Sequence, residues 1–289
     1  MQLLVFILAY PFLWFISILP FPVLYVVSDG VYLLLYNVIG YRKKIVRSNI
    51  ALALPHLNEQ ERLLIEKKSY KHLCDMFLEM IKTLTISSEE MNKRFVVTNL
   101  EIMNILEKKE KSIMLIASHY ASWEWLLSFN QKISLQGIGV YKKLANVYFD
   151  ALVRKIRSKY NTELVSTSNT IPLIADNYRN NIHCVYGFAS DQSPKADRIF
   201  HWQSFMGIEV PVHTGPEMLA KKYNMNVVFA KVKKVKRGYY DMTLIPLSEN
   251  AHLIPDYQIT DLYIKEVEKQ ILEAPEFYFW THKRWKLRR

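Results

Sequence analysis

The 289-residue sequence predicts an α/β fold: a central mixed β-sheet flanked by helices, preceded by an N-terminal hydrophobic anchor helix. Three observations carry that expectation. Short apolar runs alternate with helical stretches over most of the chain, no internal repeat, low-complexity tract or Gly/Ser linker divides it, and Leu3 to Val27 contains no charged side chain. The expected division is an anchor over residues 1–40 and one globular domain over residues 41–289.

The charge-free run is interrupted only by Pro11, Ser17, Pro20 and Pro22, and its length suits a membrane. It starts without a basic segment and stays apolar, apart from Asp29, as far as Ile39, so it reads as an anchor that is retained and not as a cleaved leader. The first basic cluster, Arg42, Lys43, Lys44 and Arg47, follows it and places the remaining chain in the cytoplasm. Three prolines leave a bent or interfacial helix open beside a straight span.

Apolar residues then recur at helical spacing from Arg42 to Leu54 and from Glu59 to Leu84, with Pro55 and Asn58 making the break. Beyond them Phe95–Val97, Ile113–Ile116, Ile138–Val140, Cys184–Tyr186, Val227–Phe229 and Met242–Leu247 read as strands. Helices are expected at Leu100–Glu107, Trp123–Phe129, Val147–Ser158, Pro172–Tyr178, Pro216–Tyr223 and Thr260–Leu272.

The net charge of +11 points to a polyanionic partner: nucleic acid, an anionic membrane face or a phosphorylated ligand. Cys74 and Cys184, 110 positions apart, suit two buried thiols in a reducing compartment. The eight histidines show no metal-ligand spacing, so no metal is expected. No GxSxG, P-loop or GxGxxG is present, which weakens serine-hydrolase, nucleotide-hydrolase and dinucleotide readings.

The chemistry concentrates where the strand Ile113–Ile116 ends in Ser118-His119-Tyr120-Ala121-Ser122-Trp123-Glu124-Trp125. Five residues along one helix turn by about 500°, so His119 and Glu124 cannot meet inside a single helix. They can meet if His119 lies in the strand-to-helix turn, Ser122 caps the helix, and Glu124 folds back onto one imidazole nitrogen. The other nitrogen is then free to take a proton from an attacking hydroxyl. By itself this spacing also fits a structural histidine.

The segment resembles the HX4(D/E) motif of the glycerolipid and lipid A acyltransferases, and its surroundings are similar to the lipid A late-acyltransferase family. Arg42 to Ala53 resembles the family's juxtamembrane stretch, and Ser118 to Trp125 its catalytic block. Val140 to Asn146 running into Asp150 and Arg157, Ser190-Asp191-Gln192-Ser193-Pro194, and Trp280 to Lys286 are also similar. The resemblance implies transfer of an acyl group from acyl carrier protein to a hydroxyl of a lipid A precursor, on the cytoplasmic face of a bacterial inner membrane, without a cofactor. It implies His119 as base and Glu124 as its orienting acid, with Arg157, Asp191 and Gln192 toward substrate. Where relatives commonly carry an arginine ahead of the Asp-Gln block, this chain reads Ser166-Thr167-Ser168-Asn169-Thr170, which bears on the acceptor more than on the chemistry.

Two further basic clusters, Lys231 to Arg237 and Lys283 to Arg289, the second among aromatics, suit an anionic leaflet or an acidic carrier; the first also suits a solvated strand face. Two alternatives stay open: the same chemistry on a lysophospholipid, aminolipid or phosphoinositol mannoside, or a basic membrane-associated binding protein. Nucleic acid is not expected as a partner, because it leaves the anchor unexplained.

Overall fold

The computed structural model describes residues 1–289. The apolar N-terminus forms two helices, α1 (Gln2–Ile18) and α2 (Phe21–Leu33), the second running on through a π-helical turn, Leu34–Ile39. The expected single anchor helix is thus broken at Pro20. Leu19 before it is extended, as a residue preceding proline prefers, whereas Pro11 lies within α1 without ending it.

Helix α3 (Lys43–Ala53) leads to α4 (Glu59–Lys82), the longest helix in the molecule. The break read at Asn58 is a capping box: the Asn58 side chain accepts from the Glu61 amide at 3.0 Å while the Glu61 carboxylate accepts from the Asn58 amide at 2.8 Å. Helix α5 (Ser88–Arg94), β1 (Phe95–Val97), α6 (Glu101–Glu107) and β2 (Ile113–Ala117) follow. After a 3₁₀ segment, Trp125–Lys132, come β3 (Gln136–Tyr141), α7 (Val147–Arg157), β4 (Glu163–Ser166), α8 (Thr170–Arg179) and β5 (Cys184–Ala189). The chain closes with β6 (Trp202–Phe205), β7 (Ile208–Pro211), α9 (Gly215–Lys222), β8 (Asn226–Lys236), β9 (Tyr239–Ser248) and α10 (Gln258–Glu273).

Seven strands make one sheet in the order β1-β9-β8-β2-β5-β3-β4, while β6 and β7 pair separately as an antiparallel hairpin. Only the β8–β9 pairing is antiparallel, so the sheet is mixed, as expected. Gly238 makes the β8–β9 turn with φ +75°, and a Cβ there would collide with the Tyr25 hydroxyl. The central strand β2 is buried along its whole length, between β5 and β8. Strand β4 and the β6–β7 hairpin escaped the sequence reading because they are four residues each and carry little apolar alternation.

Helix α2 is amphipathic in an unusual sense: one face is polar and packed, the other apolar and open. Tyr25, Ser28 and Tyr36 donate from the packed face to Glu79, Asp75 and Glu66 of α4, each at 2.7–2.8 Å, and Leu24 is fully buried beside them. Phe21, Leu24, Tyr32 and Tyr36 belong to the same hydrophobic core as the sheet strands. On the open face Val23, Val26, Val31, Leu34, Val38 and Ile39 are exposed, continuing Leu4, Leu8, Phe12 and Phe15 of α1. Phe21–Ile39 is long and apolar enough to cross a membrane.

Three cations of the two later basic clusters are packed against the protein, while Lys233, Lys236, Lys283, Lys286, Arg288 and Arg289 stay exposed. Lys234 is nearly buried, within 3.5 Å of Asp75, and Arg237 bridges Asp75 and Asp29, at 2.7 and 2.8 Å. Arg284, expected near lipid headgroups, is buried with its guanidinium over Phe205. Lys234 on β8 and Arg237 in the turn after it point toward Asp75, and Arg284 toward an aromatic ring.

Candidate active site

Strands β2 and β5 are parallel neighbours with Ala117 opposite Ala189, so the loops leaving their carboxyl ends emerge side by side. His119 stands two residues beyond Ala117 and Asp191 two residues beyond Ala189. Level register therefore brings together two residues 72 positions apart, at the end of a parallel sheet where ligands usually bind. Asp191 Oδ1 accepts twice from His119, from the backbone amide at 3.0 Å and from Nδ1 at 2.7 Å. The amide fixes the carboxylate as acceptor, so Nδ1 carries the proton and Nε2 is left with its lone pair. Burial pushes the Asp191 carboxyl up, but the adjacent imidazole and its hydrogen bonds outweigh burial and hold it below the usual aspartate value.

The rest of the cradle comes from the C-terminal segment. The Ala121 amide donates to the Phe277 carbonyl at 2.9 Å, the Phe279 amide donates to the His119 carbonyl at 3.1 Å, and Tyr120 and Tyr278 form an antiparallel bridge between those two bonds. Trp123 meets the imidazole edge-on at 5.4 Å and Phe279 stacks at 6.0 Å, leaving the His119 side chain 21% exposed. Leu73, Met76, Trp123, Phe277 and Phe279 help line a small apolar pocket beside the ring. Burial pushes two further histidines around Asp191 down, His213 and His282, the latter to about 4.

Glu124 does not take the position foreseen for it. Its carboxylate, 6% exposed, is held by a forked pair of bonds from Arg157, Nε to Oε2 at 2.9 Å and Nη2 to Oε1 at 2.6 Å. A planar guanidinium matches a carboxylate on both oxygens, and the imidazole Nδ1 is already occupied by Asp191. Burial opposes the Arg157 charge, but Glu124 overrides it and raises the arginine's pKa. Nor does Ser122 cap a helix: its hydroxyl is buried without a partner, and the segment that follows is 3₁₀ and begins only at Trp125. Gln192, next to Asp191, is half-buried.

The structure thus sorts the five residues singled out in the sequence into two pairs, His119 with Asp191 and Glu124 with Arg157, and places Gln192 beside the first. Sequence reasoning had Asp191 toward substrate and missed its contact with His119. The equal offset of the two, each two residues past its strand, shows only once the strands are seen to end at Ala117 and Ala189. The cradle formed by Phe277 to Phe279 left no comparable trace.

A histidine with one nitrogen bonded to a buried carboxylate and the other free has the makings of a general base for activating a hydroxyl. The chain belongs to the bacterial lipid A biosynthesis acyltransferase family, whose profile matches residues 2–287, and it is an acyltransferase. It is similar to the lipid A biosynthesis lauroyltransferase of Escherichia coli K12, with 26% identity covering 96% of this chain and 89% of the relative. The palmitoleoyltransferase of the same organism is 21% identical over the same shares, and a lipid A biosynthesis acyltransferase of Haemophilus influenzae is 24% identical over 93% of this chain and 86% of its own.

Proposed function

We propose that this acyltransferase moves a fatty acyl chain from the thioester of acyl carrier protein to a hydroxyl of a lipid A precursor, at the cytoplasmic face of the bacterial inner membrane. The observation that carries the mechanism is the 2.7 Å bond between His119 Nδ1 and Asp191. With that nitrogen protonated, Nε2 removes the proton from the acceptor hydroxyl as its oxygen attacks the thioester carbonyl. Asp191 stabilises the imidazolium that forms, and the imidazolium returns its proton to the departing thiolate. No acyl-enzyme is required.

Arg157 spends Nε and one Nη2 hydrogen on Glu124, which leaves the two Nη1 hydrogens and the second Nη2 hydrogen for a phosphate or for the developing oxyanion. In this reading Glu124 acts through the arginine and not through the imidazole. The exposed apolar faces of α1 and α2, together with the length of Phe21–Ile39, support membrane association. The activities for which the relatives are named, lauroyl and palmitoleoyl transfer in lipid A biosynthesis, support the substrate class.

One feature favours a different acceptor with the same chemistry. The stretch Ser166 to Thr170 offers hydroxyls, with Ser166 and Ser168 bonded at 2.9 Å, in place of the arginine that the resemblance leads one to expect ahead of the Asp-Gln block. Mass spectrometry of lipids from cells lacking the protein decides between them. Loss of one acyl chain from lipid A, restored by the wild-type gene and not by His119→Ala, is the expected result. Unchanged lipid A with an altered phospholipid or aminolipid species would move the assignment to that acceptor.

A further inference from the structure

We infer that His72, on α4, is a positioning residue for acyl transfer: it fixes the turn that carries His119 by donating a hydrogen bond to the carbonyl of Ala121. The inference rests on the reading of His119 as the base.

The turn needs such a brace. Ala121 is fully buried and adopts φ +50°, a left-handed conformation that is strained for a non-glycine residue. Both of its backbone polar groups are satisfied by groups remote in the chain. Its amide reaches Phe277, and its carbonyl lies 3.1 Å from His72 Nε2. Without the imidazole this carbonyl would be buried with no donor in reach, and the turn could recover solvent only by moving His119 with it.

The neighbours of His72 also decide its tautomer. Nε2 faces a carbonyl oxygen and must donate. Nδ1 lies 3.2 Å from the Lys234 ammonium, which can only donate, so Nδ1 must accept. Burial first, and Lys234 second, push the His72 pKa well below the ordinary histidine range, which keeps the ring in that neutral form. Phe277 closes the third side, its ring edge-on to the imidazole at 4.9 Å. The same side chain thus packs the brace while its backbone carbonyl holds the Ala121 amide.

Lys234 is itself held by Asp75, Asp75 by Arg237 and Ser28, and Arg237 by Asp29. The brace beneath the turn is therefore built on the buried carboxylate that docks α2. His72 touches none of the reacting atoms in the proposed mechanism, so its effect is transmitted through the position of His119. Misplacement of a reacting group by about 1 Å can cost on the order of 10²-fold in rate.

The test uses full-length protein in proteoliposomes and compares His72→Leu, His72→Asn and His72→Gln. Leucine fills the space without a donor, asparagine has a donor that falls short, and the glutamine amide can reach the Ala121 carbonyl. The expected result is that kcat falls about 30-fold or more in the first two, with both KM values within about threefold, and that glutamine recovers most of the loss. Should the leucine variant not fold, the asparagine and glutamine pair gives the same comparison. A second readout needs no substrate: the rate at which diethyl pyrocarbonate modifies His119, followed by peptide mass spectrometry, should shift in the leucine or asparagine variant and return in the glutamine one. A wild-type kcat in folded His72→Leu or His72→Asn, a loss confined to KM, no recovery with glutamine, or an unchanged modification rate would each overturn the inference. If the wild-type protein proves not to transfer acyl groups, the functional reading fails instead, and the modification rates still judge the brace.

Discussion

Asp191→Asn separates the charge of the proposed dyad from its geometry. Oδ1 of Asp191 takes both the His119 amide and Nδ1, and a backbone amide can only donate. An asparagine that keeps its oxygen on that amide therefore keeps the acceptor for Nδ1 as well, and what disappears is the negative charge facing the imidazolium. Two unit charges about 4 Å apart at an effective dielectric of about 20 attract by roughly 4 kcal/mol. The imidazolium is only partly formed at the transition state and one edge of the ring is exposed, so about half of that figure is expected to be lost, on the order of 30- to 100-fold in kcat/KM. An amide that flips and donates to Nδ1 would impose the wrong tautomer and cost nearer 10⁴.

The assay is transfer of labelled acyl chain from a carrier thioester to the acceptor lipid in detergent micelles, with thermal unfolding as the control for folding. Glu124→Gln should cost less, because it retains at least one bond to Arg157 and lies outside the dyad. The double variant His119→Ala/Asp191→Ala should be little worse than His119→Ala alone, since the two act as one unit. An Asp191→Asn enzyme within threefold of wild type would refute the argument. So would a Glu124→Gln loss larger than that of Asp191→Asn and non-additive with His119→Ala, which would return the orienting role to Glu124.

Arg157→Lys should lower kcat/KM about 10- to 100-fold although charge is conserved, because an ammonium cannot make the forked contact with Glu124 and still present donors to substrate; activity equal to wild type would leave the arginine as mere charge. Deleting residues 1–40 removes Ser28 from Asp75, Tyr25 from Glu79 and Tyr36 from Glu66. The deletion also strips Phe21, Leu24, Tyr32 and Tyr36 from the hydrophobic core and bares the apolar side chains they cover, so the truncated protein should aggregate even in detergent; a monomeric, active product would show that α2 is dispensable. Stability should also fall on mild acidification. His282 binds its proton at about 4 in the folded protein against about 6.5 unfolded, so the unfolded chain holds more protons between those values and stability, complete above pH 6.5, declines toward pH 4. With allowance for solvent screening the loss from this group is about 1–2 kcal/mol, and His72 and His213, also pushed down by burial, add in the same direction. Thermal unfolding scans at pH 7.5 and 5 measure it, and His282→Gln should flatten the difference; identical midpoints would contradict it.

The sequence alone determined the features that depend on near neighbours. Alternation and helical spacing located most strands and helices, the break at Pro55 and Asn58 marked the start of α4, and the charge-free run set apart the apolar N-terminus. It also supplied His119 and, through resemblance, the family. The tertiary structure alone decided which charges meet. Glu124 lies five residues from His119 yet bonds Arg157, 33 positions on, while His119 finds Asp191 across 72. Lys234 and Arg237 read as surface charge until β8 and the turn after it brought them to Asp75, and His72 carried no local signal. The physical reason is the same in each case. Spacing along the chain governs what a turn of helix or a strand can juxtapose. The register of β2 on β5, and the return of the C-terminal segment over the turn after β2, come from burying the sheet as a whole, which no window of sequence contains.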